Sequence, residues 1–213
     1  MSPSLRYWKE IILWLGPCLL LVTSFFHTGS EGSTTVIGAL SPHAVKWLWI
    51  HIVQVFVFGL MALSLLLLTP KDGSVISSVV YFCAFLFGIL YIAADAVAGI
   101  ATGVVLNIYA LEPSLDFVAI EGILYSLLES DITRDLFFVA SLSWLIATCA
   151  LALALLRKKE SWLVSASLVC AGIALFLGHG LVRGSVTGIA MMVVAFVYTR
   201  NAWHEEHSIR MIR

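Results

Sequence analysis

The chain reads as an all-α polytopic membrane protein, a bundle of six transmembrane helices with an external amphipathic helix between the third and the fourth. Three observations predict this. Of 213 residues, 61% are hydrophobic and only 12% charged, where charged residues make up roughly a quarter of a soluble domain. Mean hydropathy is +1.00. Apolar runs also recur six times at lengths near the roughly 20 residues of helix that cross a hydrocarbon core of about 30 Å. Residues 1–213 are read as one transmembrane domain.

The spans fall near 11–27, 44–68, 75–106, 136–156, 162–179 and 185–198. The first has the basic flank (Arg6, Lys9) and apolar run of a signal peptide. No small-x-small cleavage site precedes Glu31, so it is expected to be retained as a helix. The third is long enough to tilt strongly or to run on past the bilayer. The sixth is short and borrows residues on either side. Breakers mark the tight turns, Thr69-Pro-Lys-Asp-Gly73 and the charged Arg157-Lys-Lys-Glu160. The long connection after the third span behaves differently. From Pro113, Phe117, Ile120, Leu124, Leu127 and Leu128 recur at helical spacing while Asp116, Glu121 and Glu129 lie off that stripe, which predicts an amphipathic helix over 113–130. Its acidity does not suit anionic lipid, so it is expected to pack over the bundle as a lid.

Orientation follows from Lys and Arg, which are retained on the cytoplasmic side. With the N-terminus inside, Arg6, Lys9, Lys71, Arg157, Lys158, Lys159, Arg200, Arg210 and Arg213 are cytoplasmic, and only Lys46, Arg134 and Arg183 are external. Both termini are therefore expected in the cytoplasm, and the bilayer to be a bacterial inner membrane. The lipid bilayer is the first partner, and a larger membrane-protein complex a possible second. Nucleic acid is not expected, since no basic stripe or aromatic-basic interleaving occurs. Cys18, Cys83, Cys149 and Cys170 lie in apolar runs without a C-x-x-C pair and read as packing residues.

One carboxylate stands inside the third span, in Tyr91-Ile-Ala-Ala-Asp95-Ala-Val-Ala-Gly99-Ile-Ala-Thr-Gly103. Taking Asp95 out of water costs several kcal/mol unless it is paired, so an intramembrane aspartate is a functional-site hypothesis whose partner must be named. Asp95, Gly99 and Gly103 are spaced by four and share one face, where Gly99 and Gly103 form a groove for a neighbouring helix. On the second span His43, Trp47, His51, Gln54 and Phe58 also share a face. At about 1.5 Å per residue, His51 lies roughly 10 Å and Asp95 roughly 15 Å below the outer boundary, with Gln54 level with Asp95. His27 and His179 end their helices on the same outer side, with Arg183 nearby. His51, Asp95, His179, His27 and Gln54 are thus the first candidates for a ligand or metal site, and His43 and Arg183 the second. Trp8, Trp47, Trp49, Trp162 and Trp203 read as an interfacial belt. In the tail, His204 and His207 are three apart and do not form His-Glu-x-x-His; Gly-x-Ser-x-Gly, P-loop and dinucleotide fingerprints are also missing.

The combination Trp49-Ile-His51-x-x-Gln54 and Asp95-Ala-x-Ala-Gly99-Ile-Ala-Thr-Gly103 resembles bacterial multi-pass membrane proteins without an assigned activity, over about residues 40–110. Ser24, Asp95, His27, His51 and His179 are also similar in type to the serine, aspartate and three histidines around zinc in the seven-helix hydrolases that include alkaline ceramidases. This chain departs from them in having six helices and no paired histidines in the last. Two-histidine haem b proteins offer a further likeness, with His51 and either His179 or His27 as axial ligands. The leading expectation is an outward-facing His/Asp pocket that binds a divalent metal, haem b or a small polar ligand. Its rivals are a non-catalytic subunit of a larger membrane complex, an intramembrane hydrolase, and a proton-coupled transporter, for which no charged inner path is visible.

Overall fold

A chain in hydrocarbon has to satisfy its backbone N–H and C=O groups internally, so apolar runs of this length close into helices. The computed structural model describes residues 3–27, 33–178 and 181–211, with side chains described for 7–27, 33–178, 182–201 and 203. Among the described residues all regular structure is helical. The helices are α1 (Pro3–Phe26), α2 (Val36–Leu40), α3 (Ala44–Leu68), α4 (Val75–Asp95), α5 (Thr102–Leu111), α6 (Phe117–Glu129), α7 (Asp131–Arg157), α8 (Trp162–Phe176) and α9 (Leu181–Met211). A 3-10 turn (Ser41–His43) leads into α3, and a π-helical segment (Ala96–Ala101) joins α4 to α5.

Six helices close into a ring. α1 packs on α3, α3 on α4, α4 on α7, α7 on α8, α8 on α9, and α9 back on α1. Five stretches are long and apolar enough to cross a membrane: Tyr7–Phe26, Val36–Leu68, Val75–Leu111, Phe117–Arg157, which is interrupted at Ser130, and Val182–Asn201. The fifth expected span corresponds to α8, which at 15 residues is shorter than that length. Outward-facing Phe56, Phe82 and Phe85 are 67%, 63% and 58% exposed. Rings this exposed on long apolar helices fit a lipid-embedded protein.

Aromatic packing fills the centre. Phe58 and Tyr91 lie 4.0 Å apart between ring centroids, and Phe87 lies 4.7 Å from Trp144. The Trp144 indole N–H donates to the Ala171 carbonyl at 3.0 Å, joining α7 to α8. Between α1 and α9, Lys9 donates to the Tyr198 hydroxyl and lies over its ring. All four cysteines are free thiols.

Several boundaries differ from the sequence expectation for local reasons. The helix expected over 113–130 begins at Phe117, not Pro113, because Asp116 caps it by accepting from the Val118 and Ala119 N–H groups at 2.8 and 3.3 Å. The short α2 lies between the first two expected spans. Thr35 caps it, accepting from the Gly38 N–H at 3.1 Å. Glu121 then ties α6 to α2, its two carboxylate oxygens accepting from the Val36 and Ile37 N–H groups at 2.5 and 2.9 Å. A carboxylate at the free amides of a helix N-terminus is a favoured arrangement. Under this tie, Leu124 packs with Ile37, Leu40, Ala44, Trp47 and Leu106 in a second apolar cluster.

The two tight turns meet at the opposite end. Asp72 accepts from the Ser74 N–H at 3.1 Å and the Ser77 hydroxyl at 2.9 Å, and stands 3.4 Å from Lys158. Hydrogen bonds from Ser74 first, then Ser77 and Lys158, hold its carboxyl well below the usual carboxylate range.

Candidate functional site

The site is built where α3 faces the junction of α4 and α5. A π-helical segment takes up one extra residue per turn and displaces the backbone, and such segments recur at functional sites. Here it begins one residue after Asp95. The Trp47 indole N–H donates to the Gly99 carbonyl at 3.0 Å. Trp47 is therefore buried, at 7% exposed, and is not part of an interfacial belt. Its own carbonyl lies 2.8 Å from His51 Nδ1. A carbonyl only accepts, so Nδ1 carries the proton, and in the neutral ring Nε2 carries the lone pair.

Both glycines of the groove face α3. A Cβ on Gly99 would overlap the His51 ring, and one on Gly103 would come within 2.9 Å of the Leu48 Cα. Glycine at these two positions is what lets α3 approach closely enough to aim His51 across the junction.

His51 Nε2 stands 3.9 Å from Asp95 Oδ1. That is ion-pair range but too long for a hydrogen bond. His51 is 3% and Asp95 4% exposed. The other oxygen, Oδ2, is buried and has no hydrogen-bond partner among the described residues. The His27 ring completes a cluster, 5.3 Å between centroids from both Trp47 and His51.

These groups line a cavity of about 800 Å³. His27, Trp47, His51 and Asp95 form its polar wall; α2, α6, the first part of α7 and the end of α8 supply most of the rest, including Leu40, Tyr125, Glu129, Arg134 and Ser141. Of the first candidates, the structure thus brings together His27, His51 and Asp95. Gln54 is buried but does not line the cavity, and His43 is exposed in the 3-10 turn. Arg183 belongs to a separate apolar groove with Trp162 and Leu177, between α8 and α9. His179 lies outside the described residues, as do the side chains of His204 and His207. Ser24, the serine of the hydrolase likeness, does not line the cavity, and its hydroxyl donates to the Leu20 carbonyl at 2.7 Å. Among the described residues, no three His, Cys, Asp or Glu side chains stand together as a metal-binding group.

The sequence reading missed Trp47, Tyr125, Glu129 and Arg134 as cavity residues. Tyr125 and Glu129 are four apart and follow Glu121 on the same face of α6, a signal available from spacing. Trp47 shares the face of His51 for the same reason. The π-helical segment has no sequence signature that would have announced it. No family model, no curated protein and no solved structure matches the chain.

Proposed function

We propose that the chain is a six-span protein of a bacterial inner membrane that binds a small polar ligand in an outward-facing cavity, at His51 and Asp95, beneath α6 as an external lid. One observation carries this reading. The Asp95 carboxylate is buried on the cavity wall, 3.9 Å from His51, with Oδ2 unpartnered. Leaving a buried polar group unsatisfied costs about 1–3 kcal/mol. A tie that served only to hold helices together, as in an accessory subunit, would use both oxygens. The missing partner is the ligand. A metal ion has less support, since the described residues supply no group of three His, Cys, Asp or Glu side chains.

The finer topology has its own support. α8 packs between α7 and α9 in the ring, which supports reading it as a sixth span despite its length. The Asp72–Lys158 contact joins two turns that also carry Lys71, Arg157 and Lys159, the basic end assigned to the cytoplasm with both termini. α6 covers the cavity at the other end through Glu121.

Ser141 tests the reading. In a chain whose four cysteines are replaced by alanine, Ser141→Cys is expected to react with a membrane-impermeant thiol reagent added outside intact cells. Reaction only from the cytoplasmic face, or only after solubilisation, would contradict an outward-facing cavity.

A further inference from the structure

Resting on that reading, we infer that the occupant of the cavity is an organic ammonium with an apolar or aromatic body. The argument starts from Asp95. An ionised carboxylate can only accept, so the group that completes Oδ2 must be a donor. The choice between a neutral and a charged donor follows from burial. A carboxylate 4% exposed keeps its charge only beside a cation. Neither nearby protein cation completes Oδ2: His51, a cation only when protonated, stands 3.9 Å from Oδ1 and beyond hydrogen-bond distance, and Oδ2 has no partner among the described residues. Arg134 is bonded to Asp131 at 2.5 Å, and both side chains are mostly exposed, at 68% and 84%. Meanwhile Glu129 adds a second carboxylate to the cavity lining. The lining thus holds two carboxylates against one guanidinium, and that guanidinium is already paired with Asp131, a balance that favours an ammonium over an anion.

The remaining walls select the body. Trp47, Tyr125, Phe137, Phe138 and Phe176 contribute rings to the lining. Aromatic faces attract a cation within about 6 Å of the ring centroid and are apolar to whatever follows it. A cavity of about 800 Å³ is large enough for a ring and a short chain as well as the charged head.

Three probes of matched shape discriminate: 2-phenylethylamine, protonated at neutral pH, 2-phenylethanol and 3-phenylpropanoate, titrated calorimetrically into the full-length protein in mild detergent. The amine is expected to bind at least tenfold more tightly than the alcohol, and the carboxylate more weakly than either. Asp95→Asn, which keeps shape and removes charge, should weaken the amine at least tenfold and the alcohol less than threefold. Ser141→Trp, which fills the cavity, should abolish binding of all three. If the alcohol or the carboxylate binds as tightly as the amine and Ser141→Trp abolishes it, the ammonium assignment falls while the cavity reading stands. If no probe binds, or binding survives Ser141→Trp, both fall.

Discussion

Gly99→Ala is expected to destabilise the protein by about 3 kcal/mol, the upper end of the usual cost of overpacking, and to disconnect His51 from Asp95. A Cβ there would overlap the ring of His51. That ring cannot simply step aside, because its Nδ1–H is held by the Trp47 carbonyl and Trp47 is in turn held by the Gly99 carbonyl. The added methyl pushes on a closed loop of three residues. Gly122→Ala, on the exposed side of α6, is the natural control. Nothing lies within 4 Å of a Cβ at that position, so the usual gain of about 0.5–1 kcal/mol for alanine over glycine in a helix should appear. Thermal unfolding of the two variants in one detergent gives opposite signs if the close approach at Gly99 is real.

Trp144→Ala should cost about 3–5 kcal/mol, as large-to-small changes of buried tryptophan do. Trp144 is fully buried, packs on Phe87, and carries the hydrogen bond that joins α7 to α8 through the Ala171 carbonyl. In a bilayer, helices gain little from being apolar against one another, so packing and interhelical hydrogen bonds carry the association. Removing both at the centre of the ring is expected to lower the unfolding midpoint more than any truncation at the cavity. Trp144→Phe should recover part of the loss, since it restores packing without the N–H.

Asp95 shows how far residue spacing alone could go. Its position inside an apolar helix, the glycines at Gly99 and Gly103, and the His51 face on the preceding helix were all legible, because each is a matter of period and hydropathy. What spacing could not supply is the π-helical segment after Asp95, which has no residue signature. Trp47 reaches the Gly99 carbonyl and turns inward, although its place near a helix end reads as an interfacial anchor. Gln54, level with Asp95 on a straight helix, remains outside the cavity. Arg183 was grouped with the outer histidines by depth, but depth does not fix the side of the ring, and it faces the groove between α8 and α9. Glu121 was read only as an acid off the apolar stripe of its helix; its bond to the amides of α2 depended on a helix too short to predict. Five stretches are long and apolar enough by length and composition, whereas α8, at 15 residues, is shorter than that and packs between α7 and α9.

Whether Asp95 is there to hold the bundle or to hold a ligand is the central question, and unfolding of Asp95→Ala answers it most directly. The carboxylate faces a cavity, so its loss opens no new void, and it removes a buried oxygen that has no partner. The ligand-free variant is therefore expected to melt at or above the wild-type temperature, in the same detergent and at neutral pH. A midpoint lowered by the equivalent of about 1–2 kcal/mol, the size of an interhelical hydrogen bond in a membrane, would mean that Asp95 is a structural tie and would contradict the account.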